Sequence, residues 1–457
     1  MRIHFIAIGG AAMHNLALAL HDQGHHVTGS DDDVQDPSKS RLAAAGLLPA
    51  TFGWDAGRIT SDIDVVILGM HARADNPELL AAQGLGLDVQ SYPEFLFNAT
   101  KDKHRVVIGG SHGKTTITSM VLHVMQATER PTDFMVGAQL DGFNRMVELN
   151  DHHDVVVLEG DEYLSSPVDR RSKFLWYKPQ TALLTGIAWD HINVFPTESD
   201  YVATFEAFLM GLPQGACLVY CEEDDLLRQT INRSPRTDLD LLPYRTPHEI
   251  TSEGALTQIH WPDGGVGQTP LRGTHNLQNL SGARTLCQAL GIEGFDFDRA
   301  IESFHGAARR LETAVNDDAT QFTVYRDFAH APSKVRATTA GIRAAFPDRH
   351  LTAAFELHTF SSLNPDFLPT YAEALAAADA AAVYFDPAVV EAKRLPPLSP
   401  DQVRQSFGRP DLEVFTQQAA LVEFLNRQPR TKAVTLMMSS GWFGGMDWPG
   451  NEGNEGN

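Results

Sequence analysis

Short apolar runs separated by amphipathic stretches set the rhythm of this chain. Residues 2–8 read Arg-Ile-His-Phe-Ile-Ala-Ile and end on Gly9 and Gly10, the pattern of a buried strand running into a glycine turn. Residues 12–23 carry apolar side chains at helical spacing and are closed by Gly24. Further strands are predicted at 26–30 and 64–68. A second unit opens with a strand at 104–108, a glycine-rich turn and a helix to about 126, followed by buried strands at 155–158 and 181–185. A third carries strands at 322–325, 351–355, 381–385 and 433–438, separated by helix-length segments. Strand and helix alternate throughout, so the expected fold is α/β with parallel sheets covered by helices.

Length makes this a multi-domain reading, because 457 residues exceed the roughly 150 of one ordinary domain. The expected division is 1–102, 103–308 and 309–449, with a Gly-Asn-Glu repeat at 450–457 too polar to bury and expected to be disordered. The N-terminus lacks the basic start and long apolar stretch of a signal peptide, and no segment stays apolar for the ~18 residues of a membrane span. The expectation is a cytoplasmic protein without a membrane partner, monomeric or homodimeric. A formal net charge of −22 argues against nucleic-acid binding and requires local positive groups wherever an anion is to be held. Cys217, Cys221 and Cys287 complete no zinc pattern and read as reduced thiols.

The strongest chemical signal is the strand–loop–helix around Gly109-Gly110-Ser111-His112-Gly113-Lys114-Thr115-Thr116. Small residues let several backbone N–H groups converge on a phosphate, the lysine adds a point charge, and the hydroxyl after it can ligate Mg²⁺. The loop is short, since Ile108 stands where the usual spacing has its first glycine.

That shortened form resembles the loop of the Mur ligase family, and the resemblance extends over nearly the whole chain. Val157-Leu158-Glu159-Gly160-Asp161-Glu162, Trp189-Asp190-His191, Gly273-Thr274-His275-Asn276-Leu277-Gln278-Asn279, Arg309-Arg310-Leu311-Glu312 and Asp327-Phe328-Ala329-His330 look like its later motifs, in order. The resemblance implies a Rossmann-like N-terminal UDP-sugar domain, a central P-loop ATPase domain and a Rossmann-like C-terminal domain. It implies an ATP- and Mg²⁺-dependent ligase that joins UDP-N-acetylmuramate to an amino acid or short peptide through an acyl phosphate. Implied catalytic residues are Lys114, Glu159, His191 and Arg310, with Thr115, Glu159 and His191 as metal ligands. Gly110 through Thr116, Asn276, Arg310, Asp327 and His330 would bind ATP. Arg326 replaces an aspartate of the family pattern, which leaves part of the ribose contact open.

Gly9, Gly10, Asp31 and His71 are implied UDP-substrate contacts. The competing reading of that turn, a dinucleotide site, is weakened by Ala7 and Ala12, which stand where its first and last glycines belong. The helix after Asp190-His191 lacks the lysine that many family members carbamylate, as the muramate–alanine branch does. Residues 161–175 look most like the murein peptide ligases, which take the tripeptide L-Ala-γ-D-Glu-meso-diaminopimelate. The expectation is therefore a peptide acceptor met by Arg170, Arg171, Lys173 and His358, with L-alanine as the alternative. Glu356-Leu357-His358-Thr359 fits the pattern of neither branch well.

Overall fold

The computed structural model describes residues 1–70, 72–140, 143–247, 249–253, 256–271, 273–304, 306 and 311–446. His71, Arg310 and the 450–457 tail lie outside them.

The first unit is a four-stranded parallel sheet of β1 (Arg2–Ile6), β2 (His26–Ser30), β3 (Val65–Leu68) and β4 (Asp88–Ser91), in the order β2-β1-β3-β4. Its helices are α1 (Ala11–Asp22), α2 (Ser38–Ala44), α3 (Pro77–Gly84) and α4 (Tyr92–Ala99). β1 stops two residues earlier than its apolar run suggests. Ala7 turns the chain with φ 68, a left-handed conformation that costs a residue with a Cβ about 1–2 kcal/mol. Ala7 thus occupies the backbone role of the glycine it replaces.

The second unit has seven strands: β5 (His104–Gly109), β6 (Asp133–Met135), β7 (Val147–Glu148), β8 (Val155–Glu159), β9 (Thr181–Leu184), β10 (Cys217–Cys221) and β11 (Asp240–Tyr244). Their order is β11-β10-β9-β5-β8-β6-β7, parallel except for β7. α5 (Lys114–Ala127), α6 (Phe174–Tyr177), α7 (Glu198–Gly211) and α8 (Asp225–Arg233) belong to it. A small antiparallel sheet, β12 (Glu249–Glu253), β13 (Leu256–His260) and β14 (Val266–Thr269), precedes α9 (Thr274–Ala289) and α10 (Gly294–Ile301). Cys217 and Cys221 are free, on one face of β10, as expected of reduced thiols.

The third sheet runs β15-β16-β20-β17-β18-β19, with β15 antiparallel to β16. It comprises β15 (Glu312–Asp317), β16 (Phe322–Asp327), β17 (His350–Glu356), β18 (Ala380–Tyr384), β19 (Glu413–Phe415) and β20 (Ala433–Met438). α11 (Pro332–Ala345), α12 (Pro387–Ala392), α13 (Pro400–Phe407) and α14 (Gln418–Arg427) surround it. The α/β, parallel-sheet architecture is that expected from the sequence. No helix among the described residues is long and apolar enough to cross a membrane.

Burial determines where a cleft can open. Side chains of the first and second units form one continuous apolar cluster, running from Phe5 and Leu16 to Phe174 and Tyr201. The third unit keeps its own cluster around Phe355, Tyr371 and Leu436. Ile192 of the second unit packs against that cluster, and Trp189 lies edge-on to Phe367 at 6.0 Å. The second and third units therefore leave a cleft of about 630 Å³ between them.

Candidate active site

β5 delivers the chain to the cleft, and two glycines make the turn. Gly110 (φ 113) and Gly113 (φ 74) adopt backbone conformations that favour glycine, and a Cβ would drive Gly110 into Thr185 and Gly113 into Asn279. Ser111 is pinned inside the loop: its N–H donates to the Gly186 carbonyl at 3.0 Å, and its Oγ accepts from the Ala188 N–H at 2.7 Å. α5 starts at Lys114 with no side-chain cap, so its N-terminal N–H groups and positive dipole end face the cleft.

The lysine is held by a carboxylate that sequence reasoning gave no role. Lys114 Nζ donates to Glu162 Oε2 and to the Gly110 carbonyl, both at 2.7 Å. Glu162 is 2% exposed and also accepts from the Tyr201 hydroxyl at 2.9 Å, which lies 2.9 Å from Ser111 Oγ. Burial alone would lower the Lys114 pKa, but Glu162 and Asp161 outweigh it and raise the value, so the ammonium stays charged. Asp161 is half-buried, and Lys173 and Lys114 hold its carboxyl well below the ordinary range against the desolvation that raises it. In the sequence Glu162 is only one of three acids at the end of β8; its partners Lys114 and Tyr201 come from α5 and α7.

Thr115 and Glu159 come together as a pair of oxygen donors. Thr115 Oγ1 donates to Glu159 Oε1 at 2.9 Å, and Glu159 Oε2 accepts from the Gly137 N–H at 3.0 Å. His191 stands beside the other acid, Glu162. Its Nε2 lies 3.8 Å from Glu162 Oε1 and its ring is edge-on to Tyr163 at 5.2 Å. Among the described residues no group of three or more His, Cys, Asp or Glu side chains has the geometry of a metal centre. A hydroxyl and a carboxylate nevertheless suit Mg²⁺, which takes one or two protein oxygens and completes its shell with phosphates and water.

The third unit closes the other wall. His112 Nε2 lies 2.6 Å from Ser333 Oγ at the start of α11, and burial pushes the His112 pKa down to about 3, so the ring is neutral. Asp190 lies 3.9 Å from His330 Nε2. Burial opposes its ionisation, yet His191, His330 and Lys334 together keep its carboxyl low. Asp327 is engaged by the Leu311 N–H at 2.8 Å and the Ala329 N–H at 2.7 Å, and Asp327 and His330 both line the cleft. So do Asn276 and Gln278 on α9, with Gln278 Nε2 donating to Glu223 at 2.8 Å. Asp190, Ser333 and Lys334 are cleft residues that the sequence reading did not assign.

In the first unit, the turn after β1 places Gly9 and Gly10 ahead of α1, and Gly9 N–H donates to Asp31 Oδ2 at 2.7 Å. Burial pushes the Asp31 carboxyl up to about 6, against the pull of that Gly9 hydrogen bond. The folded state therefore holds a proton that the unfolded state loses near the ordinary aspartate value, and stability contributed by this group falls as pH rises from ~4 to ~6. We expect wild-type stability relative to Asp31→Asn to decline across that window and to level off above it. Urea midpoints at pH 4.5, 5.5 and 7 check this; a flat difference contradicts it.

The basic residues expected at the peptide do not converge. Arg171 donates to Asp169 at 2.9 Å and stacks 4.0 Å over Trp176, while Lys173 donates to Asp161 at 2.6 Å. Arg170 is exposed. These charges are spent within their own segment, because carboxylates two and twelve residues away reach them first. His358 lies 3.7 Å from Glu356 and packs against Gly441; its neighbour Thr359 lines the cleft instead. A wider hollow of about 950 Å³ lies elsewhere, by the ends of α1 and α5. Its Arg130 is tied to the Leu290 and Gly291 carbonyls and its Arg145 to Asp22, so it offers no comparable constellation.

Residues 2–104 match the family model described as "Mur ligase family, catalytic domain", and residues 108–287 match "Mur ligase middle domain". The UDP-N-acetylmuramate–L-alanine ligase of Arthrobacter sp. (strain FB24) is 33% identical over 395 residues, covering 84% of this chain and 80% of that protein. The UDP-N-acetylmuramate–L-alanyl-gamma-D-glutamyl-meso-2,6-diaminoheptandioate ligase of Escherichia coli (strain K12) is 30% identical over 349 residues, covering 75% of this chain and 76% of that protein. Among solved structures, the UDP-N-acetylmuramate-alanine ligase of Thermotoga maritima superposes with TM-score 0.73 at 22% identity, covering 96% of both chains. The murein peptide ligase of Psychrobacter arcticus 273-4 gives 0.68 at 22% identity, covering 98% of this chain and 97% of that one.

Proposed function

This chain belongs to the Mur ligase family of ATP-dependent, amide-forming ligases of peptidoglycan synthesis, and from that premise we propose that it joins the carboxylate of UDP-N-acetylmuramate to the amine of L-alanine. The observation that carries the acceptor is the 33% identity to an L-alanine ligase over most of both chains. It favours the alternative that the sequence reading held second. The tripeptide reading keeps one support, the 30% identity to the diaminoheptandioate-peptide ligase, but loses Arg171 and Lys173, whose charges are already paired.

In the proposed reaction a carboxylate oxygen of the muramyl group attacks the γ-phosphorus of ATP. The new O–P bond forms as the bond to ADP breaks, with ADP taking the electron pair. The amine nitrogen then attacks the acyl carbon; the C–N bond forms, phosphate leaves, and the amine gives up a proton. Lys114 exchanges Glu162 for the outer phosphates, which keeps a charged, directed donor where negative charge gathers. The uncapped start of α5 and the loop N–H groups hold the same phosphates. Thr115 and Glu159 would hold Mg²⁺, which supplies neutralisation of the phosphate charge when bound. Gly9, Gly10 and Asp31 receive the UDP moiety, Asn276 and Asp327 the nucleoside end of ATP, and Thr359 faces the amine. Arg310, outside the described residues, is given the ATP contact that the family resemblance implies. Packing of the third unit against the second keeps water from the acyl phosphate.

Phosphate release with ATP, Mg²⁺ and UDP-N-acetylmuramate tests the acceptor. L-Alanine-dependent release is expected. Release only with the L-Ala-γ-D-Glu-diaminopimelate tripeptide would return the chain to the tripeptide reading, and release with neither would sink both.

A further inference from the structure

Lys334 is a cleft cation to which the proposed ligase steps give no part. It stands in the first turn of α11, where no acidic residue precedes it and no side chain caps the helix. A lysine there works against the positive end of the helix dipole, an arrangement without benefit to the helix itself. Its side chain lines the 630 Å³ cleft, on the wall opposite Lys114 and beside Ser333, which meets His112 of the phosphate loop at 2.6 Å. Across the cleft its field acts on Asp190 and on His112. Two positive elements, an ammonium and an uncapped helix start, thus point from the third unit towards the loop that holds the outer phosphates.

We propose that Lys334 contacts the γ-phosphoryl group of ATP from the third unit, as a second ammonium facing Lys114 across the transferring phosphorus. The inference rests on the ATP-dependent ligase reading and adds a residue to it. ADP lacks the γ-phosphoryl group, so it should not sense Lys334; an ATP analogue should. In this arrangement a charge carried by the third unit recognises the triphosphate, and ordering of the third unit over the second depends on which nucleotide is bound. A lysine that served only to dock the third unit against Asp190 would affect both nucleotides alike.

The test is nucleotide binding by the full chain, with Mg²⁺ and without any acceptor, so it does not depend on which amine is used. Titrations with ADP and with β,γ-methylene-ATP are compared for wild type, Lys334→Ala and Lys334→Arg. Loss of one charge-assisted contact predicts an affinity for the analogue about tenfold or more weaker in Lys334→Ala. ADP binding should change less than about twofold, and Lys334→Arg should recover most of the analogue affinity. Equal weakening for both nucleotides, or none for either, overturns the proposal. A wild-type chain that bound neither nucleotide would overturn the ATP reading beneath it, an outcome visible before any variant is made.

Discussion

Lys114→Met is expected to reduce acceptor-dependent phosphate release by about 10²–10³-fold or more, since it deletes the donor placed where charge develops on the transferring group. It should also cost stability, which a residue serving only the nucleotide would not. Lys114 Nζ sits 2.7 Å from Glu162 Oε2, and their side chains are 15% and 2% exposed. Removing the cation leaves a buried carboxylate with the Tyr201 hydroxyl as its remaining close donor, a loss of about 3–5 kcal/mol. The double variant Lys114→Met/Glu162→Gln removes the stranded charge and should regain much of that stability while staying inactive. Urea midpoints and a phosphate assay on the same samples separate the two effects. A single variant that kept more than about a tenth of wild-type activity would contradict the role given to Lys114.

The second large effect is expected at Glu159. Glu159→Gln keeps the shape: its amide oxygen can accept from the Gly137 N–H while its NH2 donates to the Thr115 hydroxyl, which turns to accept, so the fold should change by less than about 1 kcal/mol. It removes the negative charge of the proposed Mg²⁺ ligand pair. The rate at limiting Mg²⁺ should fall about 10²-fold and recover in part as Mg²⁺ is raised. A rate that falls without any change in Mg²⁺ dependence would assign Glu159 to holding the Gly137 turn rather than to the metal. His191 offers a useful contrast. It faces Glu162 at 3.8 Å rather than Glu159, so His191→Asn should disturb the Mg²⁺ dependence less than Glu159→Gln does.

Much of this protein is written locally. The apolar runs within 64–68, 104–108 and 433–438 form strands because their apolar side chains are satisfied by burial on a sheet, and β3, β5 and β20 lie there. The phosphate loop is equally local. Gly110 and Gly113 are needed at their positive φ, and Lys114 follows at the helix start whatever surrounds it. Element ends are less legible: Ala7 terminates β1 through a conformation that its side chain disfavours and only the surrounding packing enforces. The antiparallel β12–β14 and the two-residue β7 carry too little alternation to stand out.

Charges mark the boundary between what the sequence by itself determined and what only the tertiary structure decided. The sequence determined the α/β architecture, the phosphate loop and the acidic residues after β8, because hydrophobic period and backbone demand act over a few neighbouring residues. It could not determine which charges meet. Arg171 and Lys173 looked available for a substrate until Asp169 and Asp161 were found to hold them. Glu162 had no role until α5 and α7 brought Lys114 and Tyr201 to it. Ser333 meets His112 across 221 residues of chain, and that approach carries Lys334 into the cleft. Electrostatic partnership depends on distance and burial, and both are set by how the three sheets pack rather than by the order of residues along them.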